Sequence, residues 1–376
     1  MRTLVIADND LFARWVTVCL ASAGHRVMVM APGAHRLTRL SRHCRAHTAC
    51  DAAVLRQPDS SLLDRIERTC REHQLEWVVP ADLPAALLLA RGRARLKTPS
   101  IFPISDAALI ERLHDKWEFH GLLRTQGLPA PRTWLWEGVA DVERGSWDFP
   151  LMLKPPRGEG GVGVRRVDSR SDLSSLLGSF GAQHGWPILA QEFIPGRDID
   201  LSVLADRGRV VAWTVQRSPS GQPSDLEFLQ HPRVLEIGAA LVRAVGYHGV
   251  AHFDLRIDER SGEPLFLEAN PRFWGSLRHS LWSGVNFPAL GIELAQGRGS
   301  GAPFRPVVGP CRDPGFSIRS SVSALLRGRL RPDGWSSATE AAWRCHLSDP
   351  IPELWQRLRR LGRTRKQTAP DLALRP

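Results

Sequence analysis

The sequence predicts a mixed α/β and α+β protein that opens on a Rossmann-like parallel sheet and ends in a basic, partly helical C-terminal tail. Three observations carry the prediction. Short apolar, β-rich runs alternate with helix-like runs over about the first 110 residues. From Asp115 onward the pattern changes to strands separated by glycine-rich loops. Positive charge gathers at the end: residues 298–376 hold 15 Arg and Lys against 6 Asp and Glu, so most of the +11 formal charge belongs there and the rest is close to neutral. With 376 residues, 43% hydrophobic and 24% charged, the chain is sufficient for two or three folded domains and does not have the composition of a disordered one.

In order along the chain, Thr3–Ala7 reads as a buried parallel strand. A helix follows over Leu11–Ala23 and ends at Gly24, where glycine suits a left-handed cap. His25–Met30 is a second strand, Leu63–His73 a helix, and Trp77–Val79 a further strand. A dinucleotide-binding domain carries Gly-x-Gly-x-x-Gly at its first turn, so that backbone can approach pyrophosphate. Asp8-Asn9-Asp10-Leu11-Phe12-Ala13 stands there instead. The first domain therefore has the topology without that job. The six cysteines are scattered, with no Cys-x-x-Cys pair, which argues against a disulfide framework and for a reducing cytoplasm. His43, Cys44, His47 and Cys50 match no closed zinc spacing and read as a helix end and loop. There is neither a signal-peptide pattern at the start nor an apolar run of membrane-spanning length.

After a helix over Lys116–Gln126, the chemistry-bearing stretches begin. Leu151-Met152-Leu153-Lys154 is an apolar strand ending in lysine, followed by the glycine-dense loop Gly158, Gly160, Gly161 and Gly163. Exposed amides there can cradle phosphate beside an ammonium point charge; alone, such a loop is more simply a mobile turn beside a surface lysine. Ile188 to Asp198 reads as a buried strand that breaks at a Pro-Gly turn crowded with carboxylates. Gly249–Asp254 and Leu265–Asn270 form a hairpin that sets Asp254 opposite Glu268, with Asn270 on the face of Glu268 by period-two alternation. Hard oxygen ligands on one face suit Mg²⁺, and two buried acids without a cation would be costly.

Taken together, Asp115-Lys116, Leu153-Lys154-Pro155 with its glycine loop, Gln191-Glu192-Phe193-Ile194-Pro195-Gly196 and Glu268-Ala269-Asn270-Pro271-Arg272 resemble the ATP-grasp superfamily, near its carbamoyl-phosphate-synthase-like branch. The resemblance covers residues 1–296. It implies a pre-ATP-grasp α/β domain over 1–112, a two-lobed ATP-grasp domain over 113–296 with a lid at about 133–195, and a basic extension over 297–376. It implies ATP as co-substrate and Mg²⁺ as metal, with Mn²⁺ an alternative. Lys116 and Lys154 would bind phosphates under the loop from Gly158 to Gly163. Gln191, Glu192 and the backbone of Phe193 and Ile194 would hold adenine, with Asp198 at the ribose. Asp254, Glu268 and Asn270 would bind the metal, and Arg272, with Lys154, would act on the transferred phosphate. The chain departs from the family's pattern at Gly161, where serine is common, and at Asp198, where a glutamate is usual.

The expected activity is ligation of a carboxylate to an amine through an acyl phosphate, giving ADP and phosphate. A bicarbonate-activating enzyme and a non-catalytic ATP sensor are the alternatives. Substrates are small molecules whose identity the motifs do not encode. His252 and Arg256 share Asp254's face and read either as structural groups or as substrate contacts; Phe273-Trp274-Gly275-Ser276 reads equally as pocket wall or core. The tail's Leu354, Trp355, Leu358 and Leu361 fall at helical spacing and read as packing on the body, with weak contact to a membrane surface as the second reading and nucleic acid disfavoured. A homodimer stays open.

Overall fold

The computed structural model describes residues 1–34, 36–56, 60–298, 303–314 and 335–367. The predicted strand–helix alternation forms a five-stranded parallel sheet from β1 (Arg2–Ile6), β2 (Arg26–Pro32), β3 (Cys44–Cys50), β4 (Trp77–Pro80) and β5 (Ser100–Ile101), in the order β3-β2-β1-β4-β5. Leu4, Val5 and Ile6 are wholly buried. The helix Asp10–Ser22 starts where the Asn9 side chain accepts from the amides of Leu11 and Phe12, and the chain turns away at Gly24 with φ +84°. Asp82 ties the loops after β1 and β4 together by accepting from the amides of Asp8, Asn9 and Ala85; burial, ahead of those bonds, pushes its carboxyl up to about 6. The stretch holding His43, Cys44, His47 and Cys50 is mostly strand rather than helix end and loop. Along β3 an extended backbone spreads Cys44 and Cys50 roughly 20 Å apart.

A second, antiparallel sheet contains β6 (Thr133–Trp136), β7 (Leu151–Lys154), β8 (Arg165–Val167) and β9 (Ile188–Glu192), ordered β6-β9-β7-β8 and packed on the helix Arg170–His184 through Trp136, Leu153, Phe180 and Ile188. The third sheet is antiparallel and six-stranded: β10 (Gly196–Asp206), β11 (Arg209–Arg217), β12 (Asp225–Leu229), β13 (Gly249–Asp258), β14 (Pro264–Asn270) and β15 (Gly309–Arg312), ordered β14-β13-β10-β11-β12-β15. Gly196 opens β10 at φ +148°, and a Cβ there would lie 1.8 Å from the Ile257 carbonyl oxygen. Only glycine lets β10 start this close to β13.

The C-terminal part differs from the expectation in two ways. The extension, expected to be partly helical, also contributes Phe304, bridged to Ala212, and the edge strand β15. The tail packs on the body, as its helical spacing suggested, but not through Leu354 or Leu358. Helices Ser337–Ser348 and Pro350–Gln367 bring Asp349 and Glu353 onto Arg14 of the first helix, at 3.7 and 2.8 Å. Arg14 is 1% exposed, and a guanidinium buried that deeply requires anions around it. The body therefore takes the helix's polar face. Leu354 and Leu358, expected to pack, are exposed, Trp355 is half-buried, and the side chain of Leu361 lies outside the described residues.

Candidate active site

The hairpin of β13 and β14 brings the predicted metal ligands together. Register pairs Asp254 with Glu268 and His252 with Asn270, while β10 sets Asp200 against Asp254 from the other side. Asn270 Nδ2 donates to both Asp254 Oδ2 and Glu268 Oε1, at 3.2 Å each. Two half-buried carboxylates in contact cannot both be ionised at low cost. Burial, then the Glu268 charge, pushes the Asp254 carboxyl well above its usual range. Burial would raise Glu268 as well, but the hydrogen bond from Asp254, the Lys116 charge and the Asn270 amide outweigh it and hold Glu268 down to about 2. A divalent cation between the two would relieve this repulsion. A hard-oxygen donor set of this kind suits Mg²⁺.

Both predicted lysines reach this cluster. Lys116, buried at the start of its helix, lies 3.2 Å from Glu268 Oε2 and donates to the Gly158 carbonyl at 2.9 Å. Lys154, at the end of β7, donates to Gln191 Oε1 at 2.8 Å, and burial lowers its ammonium to about 8. Gln191 in turn donates to Thr133, which fixes its amide. In the glycine loop, Gly158, Gly160, Gly161 and Gly163 all adopt positive φ. Arg272 donates to Asn270 Oδ1 at 2.9 Å and to Glu159 of that loop at 3.0 Å, so the loop is held down on the cluster by its own acid.

A cavity of about 380 Å³ runs from Lys154 and Glu268 to the turn after β9, past Gly161, Glu192, Phe193 and Asp198. The Phe193 ring lies between the guanidinium groups of Arg166 and Arg256, at 4.2 and 5.5 Å. Glu192 is paired with Arg132 at 3.2 Å and Arg260 at 3.5 Å, and Asp198 with Arg256. Of the backbone groups expected to hold adenine, one is already in use. The Phe193 amide donates to the Pro150 carbonyl and is not free for a base, whereas the Ile194 amide makes no hydrogen bond among the described residues.

One acid beside the cluster escaped the sequence reading. Asp200 follows Asp198 by two positions on β10, so alternation alone would have put it on the same face. Its Oδ2 accepts from Gln216 Nε2 at 3.1 Å and lies 4.0 Å from His252 Nε2; burial, its leading influence, raises its carboxyl to about 6. Gln216 also donates to Ser276 at 2.7 Å. Asp200, His252 and Asp254 present ligand atoms within 4.8 Å of one another, so a cation here would have donors on both sides of Asp254. His252 stacks on Trp274 at 5.3 Å and bonds Ser202 at 2.8 Å. Arg256, left open between anion binding and pairing, is committed to Asp198 and the Ile194 carbonyl. Asp200 also borders a second cavity of about 660 Å³ on the side away from Phe193, walled by Trp15, Gln216, Ser276, Arg278 and Glu353.

The model of a family described as "ATP-grasp in the biosynthetic pathway with Ter operon" matches residues 185–309, the stretch that carries β9 through β15. Over that stretch the chain is similar to the ATP-grasp family. Among its relatives, D-alanine–D-alanine ligase of Nitrosomonas eutropha is 26% identical over 48% of this chain and 66% of that protein. Acetyl-CoA carboxylase of Dictyostelium discoideum is 30% identical over 40% of this chain and 7% of its own length. The chain thus spans less than two thirds of either relative. The solved L-amino acid ligase of Bacillus licheniformis superposes with a TM-score of 0.61 at 20% identity, over 78% of this chain and 74% of that one, which establishes the ATP-grasp fold.

Proposed function

We propose that this protein is an ATP-dependent carboxylate–amine ligase that forms an amide bond through an acyl phosphate and releases ADP and phosphate. One observation carries the reading: Lys116, Lys154 and Arg272 converge on Asp254, Glu268 and Asn270 where two cavities meet at Asp200. The smaller suits a nucleotide. Phe193 and the Ile194 amide would hold adenine there, and Asp198 would hold the ribose. The larger admits an organic substrate. The relatives named for joining amino acids favour amide formation over bicarbonate activation.

In the first step a donor carboxylate oxygen attacks the γ-phosphorus, and the bond from that phosphorus to the ADP oxygen breaks. In the second, the amine nitrogen attacks the acyl carbon and loses a proton, and phosphate leaves with one former carboxylate oxygen. Lys116 and Lys154 neutralise the phosphates, and Arg272 exchanges Glu159 for the transferred group. Asp254, Glu268 and Asn270 would hold Mg²⁺, which supplies charge neutralisation at the phosphate oxygens. The glycine loop, within the lid we assign to 133–195, keeps water from the acyl phosphate.

The test is ADP release over a panel of carboxylates and amines, with the donor carboxylate labelled by ¹⁸O. One labelled oxygen in the released phosphate is expected for each amide formed. Phosphate without label would remove the acyl phosphate from the scheme.

We assign the reaction to the cytoplasm, in keeping with the six free cysteines. A second reading concerns the last helix. Ile351, Leu354 and Leu358 are exposed along one face, and residues 357–366 contain six Arg and Lys and no acid. Apolar residues in line beside cations favour an anionic membrane surface; a homodimer through this face would oppose two sets of cations. No helix among the described residues is long and apolar enough to cross a membrane. The full chain is expected to co-sediment with phosphatidylglycerol-containing vesicles and not with pure phosphatidylcholine ones, and Leu354→Asp with Leu358→Asp to lose the binding. Equal recovery of wild type and variant would refute the contact.

A further inference from the structure

We propose that the C-terminal helix completes the acceptor site, and that Asp200 at its inner end and Arg357 at its outer end select an acceptor carrying an amine and, remote from it, a carboxylate. The inference rests on the ligase reading and names the substrate class of the same site.

The larger cavity has its inner end at Asp200 and Gln216, next to the catalytic cluster, and part of its wall is the C-terminal helix, through Glu353, Gln356 and Arg357. Much of the charge around it is already spent. Arg14 is paired with Glu353 at 2.8 Å, and Arg278 with Asp313 at 3.1 Å. Arg357 is exposed, and among the described residues it makes no ion pair. At the inner end the unmet groups are acceptors. Asp200 Oδ2 accepts from the neutral Gln216 amide at 3.1 Å, and Gln216 Oε1, on a residue 1% exposed, accepts no hydrogen bond among the described residues. An ammonium brings three donors to such a place, and a buried acceptor left without one is costly.

The polarity sets the orientation. A ligand entering carboxylate-first would meet Asp200 and be repelled, whereas one entering amine-first delivers its nucleophile to the cluster and leaves its anion at the mouth, where Arg357 presents a planar fork suited to carboxylate. About 660 Å³ is more than a single small amino acid fills, so an amine and a carboxylate separated by a peptide or comparable spacer suits the site better than an α-amino acid. The helix is fixed there by Arg14, and its pocket face (Glu353, Gln356, Arg357) is distinct from its exposed apolar face (Ile351, Leu354, Leu358).

The experiment uses the full chain with MgATP, the twenty L-amino acids as donors, and glycylglycine, β-alanine and γ-aminobutyrate as acceptors, each beside its carboxamide. ADP release and product mass are read for wild type, Arg357→Ala and Arg357→Lys. Saturation-transfer NMR with MgADP reads acceptor binding without turnover. Arg357→Ala should raise the acceptor's KM about tenfold, the value of one charge-assisted contact. The KM for ATP should not move, Arg357→Lys should recover part of the loss, and the carboxamides should be poor acceptors in every protein. Ligation that treats acids and amides alike, or an Arg357→Ala protein with unchanged acceptor KM, overturns the inference and leaves the ligase reading standing. If no pair releases ADP, the ligase reading loses its support from this panel. The site is then judged by NMR: probes that bind wild type but not Arg357→Ala sustain it, and equal binding or none overturns it.

Discussion

Replacing Glu268 with glutamine is expected to lower kcat for ADP formation by about a thousandfold, or about 4 kcal/mol of transition-state stabilisation. Glu268 is the one carboxylate in contact with Lys116, Asn270 and Asp254 together. The glutamine keeps the shape and one oxygen acceptor but removes the charge that holds Lys116 in place and would hold Mg²⁺. Its amide also points a donor at a site built of acceptors. If the loss lies in metal binding, part of it should return when free Mg²⁺ is raised about a hundredfold. If it lies in positioning Lys116, it should not. The KM for ATP is expected to rise less than kcat falls, because the adenine end of the cavity, at Phe193 and Ile194, is untouched. The measurement is steady-state ADP release at several Mg²⁺ concentrations. A kcat within threefold of wild type would remove Glu268 from the chemistry.

The hairpin that pairs Asp254 with Glu268 was legible in the sequence because its information is local. Alternation along 249–254 and 265–270 and a turn between them suffice to set Asp254 against Glu268, and the register agrees. The parallel sheet was legible for the same reason. Asp200 was missed although the same alternation relates it to Asp198, since a single acid on a strand carries no motif. The use of the Phe193 amide by Pro150 could not be read, because it depends on how two strands meet. The tail shows the limit best. Its leucines suggested an apolar contact, yet what docks it is Arg14, more than 330 residues away in sequence, and nothing near Arg14 announces that it will be buried and in need of anions.

That docking leads to the second large effect. Between pH 6.5 and 9 the protein is expected to lose about 3 kcal/mol of stability through His346 alone. His346 is 2% exposed, with Nε2 2.7 Å from Asp313 Oδ1 and Nδ1 in ion-pair contact with Glu353 Oε1 at 3.2 Å. Burial by itself would push the imidazole down. The hydrogen bonds to Asp313 and Glu353, reinforced by their charges, outweigh it and hold it up to about 9. A group whose folded value lies above its unfolded value contributes stability that is fully present below the unfolded value, near 6.5, and is lost as pH rises through the folded one. His346→Gln keeps a hydrogen-bonding side chain without the charge. Its urea midpoint, compared with wild type at pH 6, 7, 8 and 9, should show a deficit that is largest at pH 6 and shrinks toward pH 9; groups common to both proteins cancel in the difference. A deficit that does not change with pH would mean that His346 is neutral in the fold. Because Asp313 and Glu353 also line the larger cavity, the same titration should loosen the pocket wall, and acceptor KM should rise over this pH range more steeply than the KM for ATP.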